Sequence, residues 1–89
     1  MSRQRPMEVI EKAEYVTIGG LARLTDVRYS TLKFYTEEGM LPFYQAEENL
    51  TRRYRREESV ARLQYIRDLR KQGRSVPEIK AILAAEPEA

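Results

Sequence analysis

The sequence predicts a mainly α-helical domain, with four helices and a short two-stranded hairpin between the second and the third. Three observations support this fold class. Apolar residues recur at helical spacing in four segments, helix-ending signals separate those segments, and one strand-like stretch interrupts them. With 89 residues the chain is long enough for one small domain. We place the domain at 15–86, between a polar extension at 1–14 and a tail at 87–89; the extension has the apolar residues for one or two helical turns.

The first two predicted helices follow each other closely. The first begins near Thr17, whose hydroxyl suits an N-cap, and ends near Thr25 and Asp26, a residue type that favours turns. The second covers residues 28–38 and ends at Gly39, because glycine commonly follows a helix C-terminus. Two helices joined by only a few residues are the outline of a helix-turn-helix.

A hairpin is predicted after the second helix, because Pro42 prevents helix continuation and strand-forming residues flank a polar centre. These residues are Phe43, Tyr44, Leu50 and Tyr54. The third helix should extend from about Glu57 to Gln72, and its expected buried stripe consists of Val60, Leu63, Ile66 and Leu69. The order of elements therefore predicts a wing, and the fold as a whole is a winged helix-turn-helix.

The fourth helix has the clearest boundaries in the sequence. Ser75 and Glu78 match a capping box, and Pro77 lies in the first turn, where its missing N–H costs nothing. The residues expected to pack inward are Ile79, Ile82 and Leu83. We expect the helix to end by Ala85, ahead of Pro87.

The composition excludes several classes of site. Histidine and cysteine are both absent, so no disulfide can form, and a zinc, copper or mercury site is disfavoured. Ser-His and Cys-His catalysis is excluded for the same reason. We expect no enzyme, no metal and no cofactor. No apolar run reaches the length of a membrane span and no signal peptide is recognisable, so we expect a cytoplasmic, nucleoid-associated protein of bacterial type.

Positive charge is concentrated in the second half of the predicted hairpin. The formal net charge is only +2, yet residues 50–56 carry four arginines and no acid. Such a local basic field is typical of a nucleic-acid-binding surface, although it also occurs as a solubilising sheet edge. Strand alternation predicts that Arg53 and Arg55 point to one side and that Arg52, Tyr54 and Arg56 point to the other. Tyr54 then has an alternative role, packing on the core.

The stretch from Tyr15 to Leu41 resembles the start of MerR-family transcriptional regulators. The family commonly has Thr-Ile, then Thr-Leu-Arg-Tyr-Tyr, then Glu-x-Gly-Leu, and here Thr31 opens the run Thr-Leu-Lys-Phe-Tyr, with Glu38, Gly39 and Met40 following. The later segments RRY, VARLQYIRDLRKQG and SVPEIKAIL are similar to the family's wing, third helix and fourth helix. The resemblance covers residues 15–84.

This resemblance implies that the second helix reads the major groove of DNA and that the wings press on the flanking backbone and minor groove. The residues at the start of that helix, expected near base edges, are Arg28, Tyr29, Ser30 and Thr31. Residues expected at the DNA backbone are Lys33, which stands for the family's arginine, then Tyr35, Arg52, Arg53, Tyr54 and Arg55. Leu32, Phe34 and Tyr35 are expected mainly in the core, with the Tyr35 hydroxyl still within reach of DNA.

The sequence departs from the family pattern at four points. Asp26 stands where glycine is common, Arg28 stands where a capping serine is common, and Gly20 replaces an acid. Ser30 or Asp26 is the alternative cap for the second helix. The family's long dimerising helix and effector domain are not in this sequence, so we expect no metal or drug sensing within this polypeptide.

We therefore predict a sequence-specific regulator of transcription whose partner is double-stranded DNA, acting as a homodimer or a cooperative assembly on DNA. Two alternatives remain open. One is an architectural factor that coats and bends DNA, like excisionases or segregation proteins. The other is a protein-interaction adaptor that retains the fold without binding DNA.

Overall fold

The computed structural model describes residues 6–85, and this part of the chain contains five helices and two short strands. In chain order they are α1 (Met7–Lys12), β1 (Tyr15–Val16), α2 (Ile18–Thr25), α3 (Tyr29–Glu37), β2 (Tyr54–Arg55), α4 (Arg56–Lys71) and α5 (Val76–Ala85). The predicted winged helix-turn-helix class is confirmed, and α1 forms within the polar extension. The predicted tail at 87–89 lies outside the described residues.

Local signals set most helix ends where the sequence predicts them. The Thr17 hydroxyl accepts a hydrogen bond from the backbone N–H of Gly20 at 3.1 Å and caps α2. Asp26 ends α2 with φ 58°, the left-handed conformation that short polar side chains tolerate. Gly39 follows α3 with φ 75°.

The capping box of α5 forms as predicted. The Ser75 backbone N–H donates to Glu78 Oε1 at 2.9 Å, and the Glu78 N–H donates to Ser75 Oγ at 3.3 Å. The backbone hydrogen bond from Ser75, followed by that from its side chain, lowers the pKa of Glu78 below its usual value. The carboxylate is therefore the form that stabilises this helix end.

The predicted two-stranded hairpin is reduced to a single pair of residues, and β2 has a second partner that was not predicted. Residues 43–54 contain one isolated bridge, Tyr44 opposite Arg53, and β2 forms its sheet with β1 instead, with Tyr15 opposite Arg55. The Gln45 side-chain amide donates to the backbone carbonyls of Glu48 and Leu50. These two hydrogen bonds hold the loop in a turn. They satisfy backbone carbonyls that a longer hairpin would have paired with backbone N–H groups.

The core lies between α2, α3, α4 and the inner face of the sheet. Its fully buried residues include Val16, Leu21, Leu32, Tyr54 and Ile66. Ile10 of α1 is also buried and packs against α2, near Gly20. Because β1 pairs with β2, the small sheet also joins the N-terminal segment to the wing.

Two residues expected in the core are exposed. Val60 is 37% exposed, and the buried stripe of α4 begins at Ser59 instead and continues through Leu63. Phe34 is 45% exposed, because α3 turns Leu32, Tyr35 and Thr36 inward and leaves Phe34 on the outer flank. Neither residue can be assigned to the inner face by helical spacing alone, since each lies at the edge of its apolar stripe. No helix within residues 6–85 has the length and apolar character to cross a membrane.

Candidate nucleic-acid interface

The leading end of α3 is open to solvent. Tyr29 is 57% exposed, Arg28, Ser30 and Lys33 are exposed, and Thr31 is half-buried. Arg28 occupies the N-cap position, and no side chain caps the helix, so neither proposed alternative cap is used. A helix start without a side-chain cap presents N–H groups and a partial positive charge to an anion. The predicted base-reading residues are thus accessible at a helix end that suits phosphate.

Two tyrosines expected at the DNA backbone lie inside the fold. Tyr35 is buried, and Tyr54 has no exposed surface. The Tyr54 hydroxyl is 2.9 Å from Thr36 Oγ1, and Thr36 in turn donates to the Leu32 carbonyl at 2.8 Å. A contact between Tyr54 and DNA is incompatible with this placement. The alternative role for Tyr54, packing on the core, agrees with the structure, and its hydroxyl joins β2 to α3.

The arginines around Tyr54 divide between the two sides of the strand, in agreement with the predicted alternation. Arg52 is on the side of Tyr54, where its guanidinium carbon lies 4.8 Å from the centre of the Phe43 ring, which in turn contacts the Tyr54 ring. Arg53 is exposed, and its backbone is held by both hydrogen bonds to Tyr44. Guanidinium stacking on a ring leaves the N–H edge of Arg52 available for phosphate.

The remaining two arginines interact with the segment before β1. Arg55 lies 3.9 Å from the Glu14 carboxylate, and both side chains are largely exposed. Arg56 Nε donates to the Ala13 carbonyl at 2.7 Å, and the Arg56 backbone N–H donates to the Glu14 carbonyl at 2.9 Å. Arg56 therefore fastens the end of α1 to the base of the wing, a role that sequence reasoning missed because backbone carbonyls carry no sequence signal.

Replacing Arg56 by glutamine is expected to lower the free energy of unfolding by about 2 kcal/mol, because the Ala13 carbonyl loses a partly buried, charged donor. The matched change Arg55→Gln removes an exposed ion pair and should cost less than about 1 kcal/mol. Urea unfolding of both variants, followed by circular dichroism, measures the difference. Equal losses in the two variants would contradict the role assigned to Arg56.

Two arginines of α4 lie next to the turn between α2 and α3. Arg67 and Arg70 line a surface cavity of about 200 Å³ together with Val27 and Tyr35. The structure places them beside the turn that leads into α3.

The far end of α3 is also fixed. Glu38, directly after the helix, accepts a hydrogen bond from Lys80 Nζ of α5 at 2.8 Å. The sequence did not predict this pair, since its members lie far apart along the chain. It holds α3 at the end opposite to the exposed Tyr29.

Comparison with known proteins agrees with the resemblance seen in the sequence. Residues 16–86 match the model of the MerR HTH family regulatory protein. A curated relative, the HTH-type transcriptional activator SoxR homolog of Chromobacterium violaceum, is 40% identical over 72 residues, which are 81% of this chain and 47% of that protein. The chain thus spans about half the length of this relative. No solved structure matches. The match over residues 16–86 establishes that the chain belongs to the MerR HTH family.

Proposed function

We propose that this chain is a double-stranded DNA-binding regulator of transcription. The observation that carries the proposal is the leading end of α3, which is exposed, has no side-chain cap and is followed by Lys33 on the same helix. In a helix-turn-helix the first residues of the second helix reach the base edges of the major groove. Family membership and a relative described as a transcriptional activator support regulation as the role.

Base readout is assigned to Arg28, Tyr29, Ser30 and Thr31. Backbone contacts are assigned to Lys33 and to the wing residues Arg52, Arg53 and Arg55, with Arg70 of α4 as a fifth. Arginine suits this task because its planar guanidinium forms paired hydrogen bonds with phosphate. Tyr35 and Tyr54 position these residues from the core.

The assembly proposed on DNA is a homodimer or a cooperative array of copies. In helix-turn-helix proteins the symmetry of the operator mirrors the symmetry of the protein. The spacing of half-sites in selected duplexes would therefore report the dimer directly. Such a protein would work in the cytoplasm, at the nucleoid.

The test is the dependence of binding on salt. If each copy neutralises about five phosphates, log affinity should fall with log salt at a slope of about −4 to −5 per copy. The measurement is fluorescence anisotropy on duplexes selected from a random pool, repeated between low and moderate salt. An affinity that does not change with salt concentration, or no binding to any duplex, would refute the proposal.

Footprinting of the selected duplexes separates regulation from architecture. A discrete protected site favours the regulator, while an extended footprint that spreads with protein concentration favours an architectural factor. Retention of a protein partner after nuclease treatment, with no duplex shifted, would favour the adaptor.

A further inference from the structure

The small sheet has an outer face that combines two tyrosines with two arginines. Tyr15 lies opposite Arg55, and Tyr44 lies opposite Arg53. Residues opposite each other in an antiparallel pair point to the same side, and so do Arg53 and Arg55, two positions apart on one strand. The centres of the Tyr15 and Tyr44 rings are 6.2 Å apart, which agrees with this shared side. We name these four residues the outer face.

Of the two tyrosine rings on the outer face, that of Tyr44 is presented to solvent and that of Tyr15 is half-buried. Tyr44 is 63% exposed, the most exposed of the large hydrophobic residues described in residues 6–85. The two rings line a cavity of about 130 Å³ together with Arg55 and the acidic Glu58. An exposed tyrosine ring beside arginine offers a stiff apolar surface with a polar tip, next to a cationic group, for a ligand to cover.

The two arginines of the outer face favour an anionic ligand. Arg53 has no ion-pair partner among residues 6–85, and the Arg55–Glu14 pair is long and exposed, so it opposes an incoming phosphate only weakly. A surface with exposed rings and available guanidinium groups fits a polyanion that also offers flat or apolar parts. The sugar–phosphate backbone of DNA has this character, because phosphates alternate with deoxyribose rings.

We infer that Tyr44 is a DNA contact of the wing, with its ring against the deoxyribose wall beside the phosphate that Arg53 grips. This inference rests on the proposed function, since Arg53 is assigned to DNA there. The backbone hydrogen bonds between Tyr44 and Arg53 fix the two side chains on one side, so a duplex that meets Arg53 also meets Tyr44. The contact is with the sugar and is independent of base sequence. The Tyr15 ring lies beside the Tyr44 ring, with the two ring centres 6.2 Å apart.

The test compares Tyr44→Ala with Tyr44→Phe and with Tyr65→Ala. Tyr65 is a partly exposed tyrosine of α4, five residues and therefore about 140° away around the helix from Arg70, the residue of α4 assigned to DNA. Tyr44→Ala should weaken binding roughly tenfold on every duplex, because a half-covered ring is lost. The salt slope should stay unchanged, because a neutral side chain releases no counterion. Tyr44→Phe and Tyr65→Ala should bind within about twofold of the unmodified chain.

A second measurement does not depend on how well Tyr44→Ala folds. A p-benzoylphenylalanine placed at position 44 should cross-link to duplex on illumination, and the same group at position 65 should not. Unchanged affinity of Tyr44→Ala, or no cross-link from position 44 while the unmodified chain binds duplex, would overturn this inference and leave the proposed function intact. If the unmodified chain itself binds no duplex, both fail together.

Discussion

Replacing Tyr54 by alanine is expected to remove about 3–5 kcal/mol from the free energy of unfolding. Tyr54 is the largest of the fully buried side chains, and its ring contacts Phe43 while its hydroxyl reaches Thr36. The change leaves a cavity under the wing, and a small domain has only about 5–15 kcal/mol of stability in total. Urea unfolding monitored by circular dichroism measures the loss.

Two control variants separate the contribution of ring burial at Tyr54 from that of its hydroxyl group. Tyr44→Ala removes the same side chain from an exposed position and should stay within about 0.5 kcal/mol of the unmodified chain. Tyr54→Phe removes only the hydroxyl and should cost about 1 kcal/mol, because Thr36 keeps its hydrogen bond to the Leu32 carbonyl. A loss for Tyr54→Ala no greater than that for Tyr44→Ala would show that Tyr54 is not a core residue.

The second large effect is expected on DNA binding. Replacing Lys33 and Arg53 together by alanine removes two proposed phosphate contacts, which should weaken binding roughly 60-fold at 0.1 M salt and make the salt slope shallower by about 1.8. The loss should be equal for all sequences, because phosphate contacts carry no sequence information. Anisotropy titrations on a selected duplex and on an unrelated duplex measure both quantities.

Tyr29→Ala is the counterpart in this experiment, because Tyr29 is assigned to bases and carries no charge. It should change which duplexes are selected while leaving the salt slope unchanged. Arg62→Ala on α4 removes one positive charge at a residue that is not assigned to DNA, and it shows how much of the loss comes from net charge. If Tyr29→Ala and the double variant alter affinity in the same way on every sequence, the division between reading and gripping residues is wrong.

The sequence predicted the helices well because their ends depend on local chemistry. The capping box at Ser75, the Thr17 cap and the stop at Gly39 all act within a few residues of where they stand. The same holds for the alternation that separates Arg52 from Arg53, since it follows from strand geometry alone. The exposed start of α3 was predicted through the resemblance to MerR-family regulators.

Pairings between distant segments were not predictable in the same way. The partner of β2 is β1, which precedes the whole helix-turn-helix. A two-residue strand is too short for its alternation of apolar and polar residues to identify the partner strand. The assignment of Arg56 to a carbonyl of the N-terminal segment, and of Lys80 to Glu38, depends on the finished fold. Val60 and Phe34 were misplaced for a simpler reason, because helical spacing does not decide residues at the margin of an apolar stripe.

The Lys80–Glu38 pair has a consequence for the orientation of α3, the helix proposed to read DNA. It connects α5 to the trailing end of α3, while the Thr36–Tyr54 hydrogen bond connects the same end to the sheet. The trailing end is therefore held by both sides of the molecule, and the leading end projects from it. If α3 enters a groove as proposed, a small tilt of α5 is expected to move the trailing end of α3 and so to alter the angle of entry at Tyr29.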